Sequence, residues 1–305
     1  MGFCIVCNTA SKNTGQPRNA KPFQVPVMML VVPLKADDGT EFEFDCATTF
    51  DQTFWDGLIN EADASKRPVP IRDVEAFDAP RADNIVEEFP SGRKTLVSEG
   101  VRSYAMTLPE VTSQYSGQVA AAGECGTNGV FFVDGCGNIR GNGRVAGKLK
   151  PIRISRNTWS SILMWATDTT GQNTGLTFDA DTLELDKDLA YITNGSYTAD
   201  VLASEGLLDV TLANAVCTAS DDTIVLDAET IYGDQCDLEG IPGLVLADFT
   251  ITANALPAVI FSVTEGTNGN YSIALTTDVL VGEVVTVDVT KDGLDVPLIS
   301  FVAIA

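Results

Sequence analysis

The chain has 305 residues, of which 45% are hydrophobic and 20% charged, and its formal net charge is −23. That length holds two domains with real cores, and the hydrophobic share is that of a globular protein. So acidic a body excludes broad electrostatic binding to nucleic acid or anionic membranes, and the absence of histidine excludes Ser-His-Asp and Cys-His catalysis, histidine metal sites and histidine pH switches. Acid–base work by carboxylates, Lys or Tyr is left, but 42 acidic residues single out no pair. The expectation is a protein without enzymatic activity or cofactor.

Residues 1–36 carry four basic residues (Lys12, Arg18, Lys21, Lys35) and no acidic one. Residues 1–22, rich in Asn, Thr, Gly, Pro and Ser, read as an N-terminal arm. A basic arm on an acidic body suits binding to a neighbouring copy; a plain unstructured terminus is the other reading. The start "MGFCIVC" lacks the basic and long apolar regions of a signal peptide, and Val6 breaks the myristoylation pattern. The longest apolar run, Val25 to Leu34, is ten residues with two prolines, where a membrane span needs about 20. The sequence therefore predicts a chain that folds in a cytoplasm and does not enter a membrane.

Residues 23–213 form the first predicted domain. "TEFEFD" (Thr40 to Asp45) alternates as a strand. The following "TTFDQTFWDGLINEAD" switches to helical period, with Phe50, Phe54, Trp55, Leu58, Ile59 and Ala62 on one face and a capping box from Thr48 to Asp51. It is the one helix the pattern supports, packed against a sheet. From Pro68 to Leu108 short apolar pieces between "DAP", "FPSG" and "SEG" predict strands and turns. "GVFFVDGCGNIRGNG" (Gly129 to Gly143) predicts a hairpin turning at Asp134-Gly135. "TWSSILMWA" (Thr158 to Ala166) is open between a buried strand and a short helix.

Residues 214–305 form the second. They hold 14 acidic residues, one lysine and no arginine, a net charge of −13. Tyr271, Ile273 and Leu275, then Val285, Val287 and Val289, alternate with polar residues as half-buried strands. Six or seven such segments in about ninety residues predict an immunoglobulin-like sandwich.

Motifs that would carry chemistry fail on spacing. In "GNGRVAGK" five residues separate Gly141 from Gly147, and Leu149 stands where a phosphate loop needs Ser or Thr. In "DADTLELDKDLA" Leu183, Glu184 and Ala190 occupy calcium-loop positions that require an oxygen ligand, Gly and Glu. The seven cysteines are Cys4, Cys7, Cys46, Cys125, Cys136, Cys217 and Cys236, an odd number that predicts mainly reduced thiols. Cys4, Cys7, Cys125 and Cys136 are badly spaced for zinc. Cys217 and Cys236 are a candidate disulfide across the small sandwich, formed after release from the cytoplasm. From Ile139 to Arg156 lie six basic residues, Arg140, Arg144, Lys148, Lys150, Arg153 and Arg156, and no acidic one. They are candidates for contact with the acidic surface of another copy; a solvated face and a nucleic-acid surface are the alternatives.

"DGTEFEFD", "FDQTFWDGLINEAD", "EFPSGRKTLVSEGVRSYAMTL", "NGVFFVDGCGNIRG" and "TFDADTLELDKDLAYI" together resemble the tail-tube proteins of tailed bacteriophages, especially those of phages of Bacteroidetes. The segment from Leu246 to Gly293 resembles immunoglobulin-like domains appended to virion proteins. The resemblance spans most of Phe23 to Ala305 and implies a mainly β fold: a sandwich or barrel with one flanking helix, then an immunoglobulin-like sandwich. It implies rings of six subunits stacked into a tube, assembled in a bacterial cytoplasm and carried in the virion tail. The implied partners are further copies of the chain and other virion proteins, with DNA only as transported cargo. A capsid decoration or head-fibre protein and a surface adhesive or carbohydrate-binding module are the alternatives.

Overall fold

A computed structural model describes residues 23–123, 127–193, 199–219, 222–234, 237–267 and 269–305. In chain order the first unit contains β1 (Pro26–Pro33), β2 (Phe44–Asp45), α1 (Gln52–Ile59), β3 (Val69–Ile71), β4 (Glu75–Asp78), β5 (Ile85–Glu88), β6 (Lys94–Ser98) and β7 (Ser103–Pro109). It continues with α2 (Ser113–Ala122), β8 (Asn128–Asp134), β9 (Ile139–Asn142), β10 (Lys148–Leu149), β11 (Ile152–Arg153), β12 (Ser160–Met164), β13 (Asn173–Asp179) and β14 (Leu189–Ile192). The fold is mainly β, as the strand alternation predicts.

The apolar run too short for a membrane is β1, an interior strand of the sheet β14-β9-β8-β1-β3. Met28, Leu30 and Val32 point into one core and Met29 and Val31 into another. Its neighbour β8 does the same, with Phe131 and Val133 on one side and Val130 and Phe132 on the other. Sheets buried on both faces require such unbroken apolar strands. The first core is closed by α1 and the β2–β10 pair through Phe44, Phe50, Trp55 and Ile59. The second is closed by α2 and the sheet β12-β13-β7-β4 through Val119, Tyr104, Met106, Leu108, Leu176 and Phe178.

Helix α1 starts later than the capping box predicts: Asp51 is the N-cap, its carboxylate accepting from the Phe54 amide at 2.8 Å. Asn60 ends it, leaving Ala62 outside. A second helix, α2, corrects the expectation of one. Thr112 caps it, accepting from the Tyr115 amide at 3.1 Å. Its residues SQYSGQVAAA give little helical periodicity, and Gly117 lowers the propensity; the helix is held by burial of Ser116 and Val119 and by the Trp159 Nε1, which donates to the Val119 carbonyl at 3.1 Å. "SSILM" is resolved as the strand β12, and β8–β9 is the predicted hairpin, but Asp134 is the last residue of β8 and the turn runs through Gly135 to Gly137, which takes φ 80°, instead of turning on Asp134-Gly135.

The second unit contains β15 (Leu208–Thr218), β16 (Thr223–Asp234), β17 (Asp237–Gly240), β18 (Phe249–Ala253), β19 (Leu256–Pro257), β20 (Ile260–Glu265), β21 (Asn270–Leu275), β22 (Val284–Val289), β23 (Leu294–Asp295) and β24 (Ile299–Val302). One sheet runs β20-β21-β16-β15 and the other β19-β18-β22-β24. Taken as A, B, C, C′, D, E, F and G, the strands β15, β16, β18, β19, β20, β21, β22 and β24 reproduce the immunoglobulin arrangement of a DEBA sheet on a C′CFG sheet. Tyr271, Ile273, Leu275, Val285, Val287 and Val289 all face the shared core. The Tyr271 hydroxyl donates to the Ile241 carbonyl at 2.7 Å and accepts from the Leu244 amide at 3.1 Å, tethering that loop.

One expectation is corrected here, and the candidate disulfide falls partly outside the described residues. The boundary at 214 cuts β15, because Val210 and Leu212 already belong to the sandwich core; Asn214 is a left-handed bulge residue within that strand (φ 49°), bonded to Asp227 at 2.7 Å. Cys217 is a free thiol at 0% exposure, its pKa pushed up by burial. Cys236 lies outside the described residues, as do Cys4, Cys7 and Cys125.

The two units meet through polar contacts. The α1 cap residue Asn60 accepts from the Gly293 amide at 2.8 Å, Arg67 pairs with Asp295 at 2.7 Å, and Gln118 donates to Asp209 at 2.9 Å.

A fragment of residues 206–305 is expected to melt cooperatively with a β-type circular dichroism spectrum. A fragment of 214–305 loses Val210 and Leu212, each worth about 2–5 kcal/mol, and is expected to be unfolded or far less stable; equal stability of the two fragments would restore the boundary at 214. Within the full chain, Asp51→Ala is expected to cost about 1 kcal/mol and Thr48→Ala close to nothing, as read by chemical denaturation.

Candidate assembly interface

The six basic residues do not form one surface. Arg140, on β9 opposite Phe132 and Tyr191, is half-buried with its guanidinium 4.0 Å over the Phe23 ring, and burial pulls its pKa down from the usual arginine value. It anchors the start of the described chain. Lys148 and Lys150 are consumed within the chain. The β2–β10 ladder sets Lys148 opposite Asp45 and Leu149 opposite Phe44, which brings Lys148 to Glu43 and Lys150 to Glu41 as ion pairs. Glu43 raises the Lys148 pKa and Lys150 lowers that of Glu41, as mutual stabilisation of the charged forms requires. The alternation of "TEFEFD" held the signal for this: Glu41 and Glu43 share a face.

Arg144, Arg153 and Arg156 are exposed, and no ion pair of their side chains is found among the described residues. Arg144 sits in the glycine turn Gly143–Gly147, where its amide donates to Asn142 at 2.9 Å. Arg153, on β11, borders a cavity of about 270 Å³ lined also by Leu34, Lys35, Glu41, Phe42 and Pro151. Beside it Glu184 accepts from the Asn142 side chain at 2.5 Å and from the Arg153 amide at 3.2 Å, with its pKa pushed up by burial.

Two apolar features that the sequence leaves undetected lie elsewhere on the first unit. Strand β12 is the edge of its sheet. Its Leu163 faces inward, but Ile162 is 63%, Met164 41% and the adjoining Trp165 79% exposed. Ser160–Met164 contains no charge, proline or bulge, the devices by which edge strands ordinarily avoid pairing.

The hairpin β5–β6 projects with all nine strand residues exposed. Ile85, Val86, Phe89, Leu96 and Val97 are apolar on both of its faces. Its base is clamped: Arg81 pairs with Glu99 at 2.8 Å and with Asp186 at 2.7 Å, and Arg102 pairs with the same Asp186 at 2.9 Å. Burial opposes ionisation of Asp186, but the two guanidiniums outweigh it and hold the carboxyl below its ordinary range. Gly100 is obligatory at this base, since a Cβ there would lie 1.8 Å from the Ala82 carbonyl oxygen. A two-stranded hairpin is marginal alone in water, so clamping the base while leaving the rest bare sets it up for covering by another surface.

Among the described residues no group of three or more Cys, Asp or Glu is arranged to hold a metal ion, and no helix is long and apolar enough to cross a membrane. No protein-family model matches the sequence, and no curated protein matches it.

The split of the basic run gives a direct expectation. Reversing Lys148 and Lys150 to Glu places four carboxylates together and is expected to lower the melting temperature of the monomer. Reversing Arg144 and Arg156 is expected to leave it unchanged. Scanning calorimetry of the two double variants under dilute conditions checks both, and the opposite order would return Lys148 and Lys150 to the free surface.

Proposed function

We propose that this protein is a structural, self-assembling subunit of a tailed-bacteriophage virion, whose copies close into rings, six to a ring, that stack into the tail tube. It works without catalysis or cofactor. Its partners are other copies of the chain and neighbouring virion proteins, and DNA passes through the lumen as cargo. The resemblance of the segments from Phe23 to Ala305 motivates the reading, and the bare β12 edge carries it. An edge strand whose outer side has no paired strand among the described residues, with exposed Ile162, Met164 and Trp165 and no protective charge, is a template for pairing with another chain. The sheet β12-β13-β7-β4 is open at both ends, so head-to-tail pairing of unlike edges closes a ring when the rotation permits. The net charge of −23 then serves transport, because an acidic wall repels phosphates and lets the genome slide. The exposed Arg144 and Arg156 supply cationic points for stacking against acidic surfaces of the next ring; each such exposed pair contributes about 0.2–1 kcal/mol, repeated in every subunit.

The adhesive alternative draws on one observation, the exposed Trp165. Trp55 is buried and Trp159 is bonded to Val119 and stacked on Phe178. A sugar platform also needs hydrogen-bonding groups beside the ring, and Trp165 follows directly on the exposed Met164 of the apolar edge. The capsid-decoration alternative has no structural feature of its own here.

Electron microscopy of the purified protein at high concentration is expected to show rings or tubes, and Ile162→Lys with Met164→Lys to abolish them without unfolding the monomer. Discrete particles of monomer size for the unaltered protein, across a range of salt, would sink the reading.

A further inference from the structure

We propose that the N-terminal arm of one copy, residues 1–22, docks on the apolar far end of the second unit of another copy. The contact adds to the proposed self-assembly without using the β12 edge, and it does not require the assembly to be a tube.

The strand register places the site. Gly293, Asp295 and Asp209 meet the first unit, so β22, which runs toward Gly293, begins at the opposite end of the sandwich. There Val284 faces Val302 across the β22–β24 ladder. The Gly282 amide donates to the Ala303 carbonyl at 2.9 Å, which brings the loop before β22 beside the end of β24. Leu280, Val281, Val284, Val302 and Ile304 are all exposed at this end, the first two to 65% and 64%. Val302 and Ile304 alternate with the buried Ala303 and so share a face with Val284. An exposed apolar cluster of this kind marks a contact surface.

Charge selects the occupant. Residues 214–305 hold 14 acidic residues, one lysine and no arginine. That lysine, Lys291, lies at the end beside the first unit, 3.9 Å from Asp248. At the far end the Glu283 carboxylate accepts from the Asn254 side chain and the Leu280 amide, and Asp222 accepts from the Val279 amide, each at 2.9 Å. These donors are neutral, and no ion pair of Asp222, Asp278 or Glu283 is found among the described residues. Two copies of this end would set like charges against each other, which disfavours self-pairing. The arm is complementary: it carries Lys12, Arg18 and Lys21, no acidic residue, and apolar Phe3, Ile5 and Val6 at its start. The other bare apolar surfaces fit it less well. The β5–β6 hairpin mixes Arg93 and Lys94 with its carboxylates, and β12 carries no charge.

The anchorage of Phe23 directs the arm outward. Its ring lies under Arg140 of β9 and 6.3 Å from the Tyr191 ring of β14, at one edge of the sheet β14-β9-β8-β1-β3. The opposite edge, β3, is flanked by Arg67 and Arg72, which pair with Asp295 and Glu205 beside the second unit. The arm therefore starts on the side away from its own second unit, and 22 extended residues reach at most about 75 Å, enough to cross to a neighbour. Because arm and far end are different surfaces, the contact is head-to-tail.

A labelled synthetic peptide of residues 1–22 tests it under reducing conditions. It is titrated with the dilute full-length chain carrying Ile162→Lys and Met164→Lys, so that the β12 edge contributes nothing, and fluorescence anisotropy reads binding. Saturable binding is expected, weakening with rising salt. Adding Val281→Lys with Val302→Lys, both exposed positions, is expected to weaken it roughly tenfold or more, as loss of an anchored contact does; an unchanged melting temperature verifies folding. Reversing Lys12, Arg18 and Lys21 to Glu in the peptide is expected to abolish binding. Absence of binding overturns the contact, and so does equal binding by the far-end variant or by the reversed peptide. Dimers of the edge variant that the far-end substitutions remove and excess peptide leaves intact would assign this end to its own copy and overturn it too. Micrographs of the unaltered protein are a separate readout: peptide binding without tubes removes the tube and keeps this contact, and tubes without peptide binding do the reverse.

Discussion

The double-sided burial of β1 and β8 is the constraint on which the first unit depends. Two adjacent strands bury side chains in both directions, so each face needs its own cover. The sequence supplies two covers of different kinds: a short aromatic helix with a two-stranded flap, and a second sheet with a small helix. Every interaction surface of this unit considered above is attached to one of these covers or to the central sheet. The β2–β10 flap neutralises Lys148 and Lys150, the second sheet exposes the β12 edge, and the β4–β7 connection throws out the hairpin.

Charge is handled locally in spite of the large net negative value. The pairs Lys148–Glu43 and Lys150–Glu41 fasten the flap, and Arg81, Arg102, Glu99 and Asp186 fasten the hairpin base. Arg140 instead lies over an aromatic ring, where part of its charge is met by the π face. Among the described residues, what is left for outside contact includes a few exposed arginines on a body rich in carboxylates. An assembly built on that pattern would be sensitive to salt, because exposed pairs are screened within about 10 Å at 0.1 M ionic strength.

The strands most legible in the sequence were those with one wet face. In the sandwich, Tyr271, Ile273, Leu275, Val285, Val287 and Val289 alternate with polar residues and all six point into the core. Helix α1 was legible because five large apolar side chains recur at helical spacing next to a capping carboxylate; α2 was not, because Ala, Ser and Gly leave no apolar stripe and tertiary burial alone stabilises it. The boundary at 214 was misplaced because a shift in composition marks where acidic residues accumulate, whereas a strand is delimited by its pairing, and β15 pairs from its first residues. The six basic residues looked like one patch because they are close in sequence, yet successive residues of short strands and turns point in different directions.

The sequence by itself determined a mainly β chain of two units, an immunoglobulin-like second unit and the absence of a histidine-based site, because period, length and residue inventory are local properties of the chain. Only the tertiary structure decided which charges remain free and which apolar residues stay uncovered. Lys148 and Arg153 are equivalent in composition; the ladder to β2 pairs one with Glu43 and nothing described pairs the other. Ile162 and Leu163 are neighbours of equal hydrophobicity, and pleating turns only the second inward, where it is half-buried, while Ile162 is exposed. Such outcomes depend on partners more than a hundred residues away, as with Glu43 and Lys148, and no local pattern encodes a partner at that separation.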